Sequence, residues 1–242
     1  MQQNKISILS TRPLNNSSVA DAEAAGITID TISFIETEPI RSGEVQQRIR
    51  LALLKSATVV FTSMNAVEAV AAEQEKTQPA WTIFCIGNTT AHLVKKYFGE
   101  LSIAGTANSA SELAKLIADK NHIHEAIFFC GDQRRDDLPE MLFNNHVSIE
   151  EIIVYHTTAV PHKVEKSFDG ILFFSPSAVE SFFGSNNISS KTILFAIGNT
   201  TANEIKKYTD NRIIVGNTPG KENLVEDMIK YFKLNTEIKH LT

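Results

Sequence analysis

Short apolar runs recur along this chain, each closed by small, hydroxyl-bearing or glycine residues and followed by a stretch with helical spacing. Residues 5–10 form the first run, and Thr11-Arg12-Pro13 turns it toward a helix over about 14–25 that stops at Gly26. Residues 27–35 alternate in part and predict a second strand, while 36–42, containing Pro39, read as a connector. Val45, Ile49 and Leu53 share one face of a helix over 44–55. Further strands are predicted at 58–61, 101–104, 126–130, 147–154, 170–174 and 213–215. Helices are predicted at 111–119, up to 145, and over 221–232. Strands alternating with helices predict parallel α/β sheets.

One stretch appears twice. Phe84-Cys85-Ile86-Gly87-Asn88-Thr89-Thr90-Ala91 returns 111 residues later as Phe195-Ala196-Ile197-Gly198-Asn199-Thr200-Thr201-Ala202, and ten of fourteen aligned positions are identical through Lys95-Lys96-Tyr97 and Lys206-Lys207-Tyr208. A buried strand running into Gly-Asn-Thr-Thr reads as strand, tight turn and helix start, where outward-pointing N–H groups suit anionic oxygens. An ordinary capped turn would look the same. The repeat extends to the preceding strands: Thr62-Ser63-Met64-Asn65-Ala66-Val67-Glu68 matches Ser175-Pro176-Ser177-Ala178-Val179-Glu180 in its strand-end Ser and its helix opening on Ala-Val-Glu.

The copies are not in simple tandem. After its third helix the first copy continues through 126–130, Gly131-Asp132-Gln133-Arg134, a helix and the strand 147–154, whereas the second has only a short tail. The unit missing there stands at the other end of the chain, in residues 6–13 and the helix behind them. Residues 1–35 and 161–242 are therefore expected to build one discontinuous α/β domain, with 40–154 an inserted α/β domain and connectors at 36–39 and 155–160.

Composition narrows the function. Net charge is −5, so no global basic field attracts nucleic acid, and no apolar run approaches the roughly 20 residues of a membrane span. The opening Met1-Gln2-Gln3-Asn4-Lys5 has no signal-peptide core, which predicts a cytoplasmic protein. The two cysteines, Cys85 and Cys130, fall in predicted buried strands and are read as core residues. His122 and His124 lie in a loop with no third ligand nearby, so no metal is expected.

In order and spacing, Thr11-Arg12-Pro13, Phe61-Thr62-Ser63 with Ala66-Val67, Ile86-Gly87-Asn88-x-Thr90-Ala91, Gly131-Asp132-x-x-Arg135-x-x-Leu138-Pro139, Val154-Tyr155-x-Thr157, Phe174-Ser175-Pro176-Ser177 and Ile197-Gly198-x-Thr200-Thr201-Ala202 resemble the uroporphyrinogen-III synthase family over nearly the whole chain. The family often carries Pro-Thr, an acidic or small residue and Leu near the C-terminus; here the order is Thr218-Pro219-Gly220-Lys221-Glu222-Asn223-Leu224. The resemblance implies two α/β domains joined by a two-stranded connector, one of them discontinuous. It also implies closure of hydroxymethylbilane, a linear tetrapyrrole with eight carboxylates, with loss of water and inversion of the last ring through a spiro intermediate. No cofactor is implied, and the protein is expected to be a monomer. Substrate contacts are expected at Arg12, Thr62, Ser63, Thr90, Ser175, Ser177, Gly198, Thr200 and Thr201, from both sides of a cleft. Arg134, Arg135 and Lys221 could add charge. Tyr155 is the candidate general acid, since an ordinary tyrosine, with a pKa of about 10, stays protonated at neutral pH. The alternative is a non-catalytic two-lobe anion-binding or regulatory protein of the same fold.

Overall fold

The computed structural model describes residues 5–75, 78–218 and 220–240. Contacts divide the chain into two compact units, one gathering Met1–Glu36 with Thr158–Thr242 and the other comprising Thr37–Thr157.

In the discontinuous unit β1 (Ile6–Ser10), β2 (Ile27–Thr31), β9 (Gly170–Phe173), β10 (Ile193–Ala196) and β11 (Ile213–Val215) form one parallel sheet in the order β11-β10-β9-β1-β2. Both faces are covered. Leu9, Ile171, Phe173 and Leu194 pack against α7 (Pro176–Phe183) and α8 (Asn199–Ile205). Ile8, Leu172 and Phe195 pack against α1 (Asn16–Ala24) and α9 (Lys221–His240). Strands buried on both faces must be apolar without a break, which is why 171–174 reads as a continuous run rather than an alternating one. Each fully buried Phe or Leu contributes roughly 1.5–3 kcal/mol.

The other unit holds β3 (Ile35–Pro39), β4 (Ala57–Phe61), β5 (Trp81–Ile86), β6 (Ile103–Ala107), β7 (Glu125–Gly131) and β8 (Ser148–Ala159), in the order β3-β8-β7-β4-β5-β6. Val59, Phe61 and Ile83 face α2 (Gly43–Leu53), α3 (Met64–Ala71) and α4 (Asn88–Phe98). Val60, Phe84 and Phe128 face α5 (Ala110–Ala118) and α6 (Asp137–Asn144). Helices begin where side chains replace missing backbone partners: Asn15, Ser42, Ser63, Ser109 and Ser175 each accept an N–H from the first turn behind them.

The two sheets have the same order once the chain is permuted. β7 and β8 occupy the positions in one sheet that β1 and β2 occupy in the other, and β4, β5 and β6 correspond to β9, β10 and β11. The fold is thus two parallel α/β units, one discontinuous, joined through β3 and β8.

Three local expectations change. The strand expected over 27–35 is two strands, because Phe34 turns into the core between them and is fully buried. The stretch read as connector contains β3, which runs antiparallel to β8: Ile40 N–H donates to the Val154 carbonyl and Val160 N–H to that of Phe34, both at 2.9 Å. β8 correspondingly continues past Val154 to Ala159. The strand expected at 101–104 is a short 3₁₀ turn, Glu100–Ser102, followed by β6.

Candidate functional site

In open parallel sheets of this kind, ligands bind at the carboxyl ends of the strands where the strand order reverses. That point lies between β1 and β9 in the discontinuous unit, and between β7 and β4 in the other.

At the first, β1 ends in Ser10 and passes to Thr11 and Arg12. Thr11 is fully buried and gives its N–H (3.1 Å) and its hydroxyl (2.8 Å) to the Leu172 carbonyl, while the Ser10 hydroxyl donates to the Arg12 carbonyl at 2.6 Å. These bonds turn the chain and leave Arg12 half-buried at the strand end. Beside it, Ser175 caps α7 through the Ala178 N–H at 3.2 Å, with Ser177 half-buried in the first turn. On the next strand, Gly198 opens α8, followed by exposed Asn199 and half-buried Thr200. Thr201 is only 2% exposed. The Lys221 ammonium approaches the Pro13 carbonyl at 3.4 Å, and Asn15 donates to Glu222 at 3.0 Å, so the start of α9 sits beside the β1–α1 turn. Pro219, in the loop that departs from the family order, lies outside the described residues, as do Met1 to Asn4.

At the second, β4 ends in half-buried Thr62 and Ser63, whose hydroxyl caps α3 through the Asn65 N–H at 3.1 Å. Gly87 opens α4 with φ +84°, a conformation that only glycine adopts cheaply, and Thr90 behind it is 5% exposed. The repeated glycine has different reasons in its two settings: Gly198 has φ −174°, extended backbone open to any residue.

The β7–α6 turn is held by several ion pairs and hydrogen bonds. Arg134 pairs with Glu151 and Asp136, and Arg135 with Asp137, so both cations already face carboxylates. The hydrogen bond to Glu151 raises the Arg134 pKa further. Asp132 Oδ1 accepts the Thr157 N–H at 2.9 Å, and Asp132 Oδ2 lies 3.1 Å from His156 Nδ1. Half-buried Tyr155 lies on β8 directly beside Gly131. The sequence reading assigned no role to Gly131 or Asp132, although both stand in the Gly-Asp motif.

Cys85 and Cys130 are buried, and burial pushes their thiols up to about 11 and about 12. They are inert core residues at neutral pH. Among the described residues, no helix is long and apolar enough to cross a membrane.

The comparisons with known proteins decide the family. Residues 16–226 match the family described as uroporphyrinogen-III synthase HemD. The chain belongs to the uroporphyrinogen-III synthase family. That family is one of cyclising lyases, and its work is porphyrin and haem biosynthesis. The uroporphyrinogen-III synthase of Saccharomyces cerevisiae is 23% identical across 63% of this chain, and the matched part spans 66% of the yeast protein. A mutant uroporphyrinogen III synthase of Thermus thermophilus shares the fold with a TM-score of 0.64 at 17% identity, covering 96% of this chain and 99% of that one. The Helicobacter pylori enzyme does so with a TM-score of 0.62 at 14% identity, covering 93% and 99%. The two structural likenesses fit the two-unit α/β architecture.

Proposed function

We propose that this chain closes hydroxymethylbilane to uroporphyrinogen III with loss of water and inversion of the last ring. The family match over residues 16–226 carries this reading.

The substrate brings eight carboxylates to a protein of net charge −5, so binding must come from local donors. Each unit would offer its own strand ends: Arg12, Ser175, Ser177, Gly198 and Thr200 in one, Thr62 and Ser63 in the other. Thr90 and Thr201 belong to the same turns, but their burial suits them to hold the backbone N–H groups in place. Arg134 and Arg135 already pair with carboxylates, so each would have to exchange that partner to meet substrate.

Tyr155 would act as general acid. Its proton passes to the departing hydroxyl, the C–O bond breaks, water leaves, and the pyrrole nitrogen lone pair forms the C=N bond of an azafulvenium cation. Attack by the substituted carbon of the last ring gives the spiro intermediate. Fragmentation and reclosure invert that ring, and the proton released on rearomatisation returns to the phenolate. The bilane also closes unaided without inversion, so the protein's main contribution is holding one geometry. No metal or redox cofactor enters the scheme. A cytoplasmic monomer that engages neither nucleic acid nor membrane completes the reading.

Comparing Tyr155→Phe with wild type tests the assignment. Turnover should fall by about a hundredfold or less, the low end for general acid catalysis, while the residual product stays inverted. Unchanged turnover would remove Tyr155 from the mechanism, and a shift to uninverted product would make it a positioning group.

A further inference from the structure

At the end of β7 the pairing with β8 slips by one residue between Cys130 and Gly131, which brings Gly131 opposite Tyr155. A Cβ added to Gly131 would stand 2.4 Å from Tyr155 Cζ, 2.5 Å from Cε2 and 2.7 Å from the hydroxyl oxygen. The phenol therefore occupies the space that any other residue at 131 would fill. Backbone conformation does not explain the glycine, because the described glycines with positive φ are Gly26, Gly87, Gly99 and Gly220. Glycine at a strand end carries an entropic cost that alanine would spare. The ring is what excludes the side chain.

The same turn braces the backbone that bears the ring. Asp132 N–H donates to the Tyr155 carbonyl at 3.1 Å, and the Asp132 carboxylate takes the Thr157 N–H at 2.9 Å. Gln133 Nε2 donates to the Thr157 carbonyl at 2.9 Å. The backbone around Tyr155 is thus braced by one main-chain bond and by two side-chain bonds to Thr157, while its ring fills the space a side chain at 131 would take.

We propose that Gly131 is a positioning residue for Tyr155, setting where the phenol hydroxyl stands by leaving its own Cβ position to the ring. The inference rests on Tyr155 being the proton donor. An added methyl would push the phenol aside by about 1 Å, enough to take a hydrogen bond out of reach of the leaving oxygen. Because the obstructing atoms are the far end of a side chain rather than backbone, the fold can yield while the chemistry cannot.

The experiment uses the full chain as wild type, Gly131→Ala, Tyr155→Phe and the double variant, each labelled with 3-fluorotyrosine. Fluorine NMR locates Tyr155 by the resonance missing from Tyr155→Phe, and that resonance should shift in Gly131→Ala. Turnover of hydroxymethylbilane should fall in Gly131→Ala about as far as in Tyr155→Phe, with KM within about twofold of wild type. The double variant should be no slower than Tyr155→Phe alone, since there is then no hydroxyl left to misplace. Wild-type turnover in Gly131→Ala beside a slow Tyr155→Phe would overturn the inference and leave Tyr155 in the mechanism. Losses that multiply in the double variant would also overturn it. Wild-type turnover in Tyr155→Phe would instead remove the proton-donor reading and the inference with it. Should Gly131→Ala fail to fold, adding Tyr155→Ala must restore folding, and failure to restore it would refute the ring as the obstacle.

Discussion

Thr11 and Leu172 lie 161 residues apart, yet Thr11 gives both its hydroxyl and its N–H to the Leu172 carbonyl in the buried interior of one sheet. β1 is thus an interior strand of its sheet, between β2 from the same end of the chain and β9, which arrives only after residue 157.

Independent folding should follow this division. We expect a fragment of residues 38–156 to unfold cooperatively, because it holds β4 to β7 and most of β8. A fragment of 161–242 should not, since without β1 and β2 one side of β9 has no partner. Urea titrations followed by circular dichroism check both, and a cooperative transition in the second fragment would refute the division.

The two repeated glycines should respond differently to the same change. Gly87→Ala forces an L side chain to φ +84° and should cost about 1–3 kcal/mol of stability. Gly198→Ala has extended backbone and no atom within 4 Å of the new Cβ, so its unfolding midpoint should stay put. If Gly198 lies against substrate, its KM should nevertheless rise. Thermal denaturation and steady-state kinetics on the pair separate the two effects.

Adjacent threonines in the second copy give a sharper contrast. Thr200 is half-buried and Thr201 only 2% exposed. Thr200→Val should raise KM about ten- to a hundredfold, the cost of one hydrogen bond to a charged group at roughly 1.5–3 kcal/mol. Thr201→Val should leave KM within about twofold. Equal effects, or the reverse order, would show that the contacting face of the turn has been misassigned.

Alkaline pH should weaken the fold through the thiols. Burial raises Cys85 to about 11 and Cys130 to about 12 from an ordinary value of 9.0. Above pH 9 the unfolded chain loses thiol protons that the folded chain keeps, so stability falls as pH rises toward 11. Well below that range neither state ionises and this contribution is constant. Urea midpoints from about pH 8 to 11 measure the slope, which should flatten in Cys130→Ala. At neutral pH a thiol reagent should react with neither cysteine until denaturant is added.

Much of this architecture is legible in the sequence because buried parallel strands cannot alternate. Val59-Val60-Phe61 and Ile127-Phe128-Phe129-Cys130 are apolar without interruption, and the permuted repeat is visible in the two glycine turns. β3 escapes the same reading. Ile35-Glu36-Thr37-Glu38-Pro39 is a mostly exposed edge with two acids and a proline, and only β8 opposite makes it a strand. Strand-end hydroxyls are legible as candidates, but their exposure is not, since Thr200 and Thr201 differ only in which side of the helix start they occupy. The Gly131 contact is invisible in sequence. It depends on a register slip that sets a tyrosine over a residue 24 positions earlier.

Direction of ring closure toward the inverted isomer can be read from the product alone. Freshly prepared hydroxymethylbilane is incubated with the full chain and, in parallel, with buffer alone, and the oxidised porphyrin isomers are separated and counted. The type III isomer should dominate with protein present, and the uninverted type I isomer in buffer. Type I product alone, formed at the buffer rate in the presence of folded protein, would contradict this expectation.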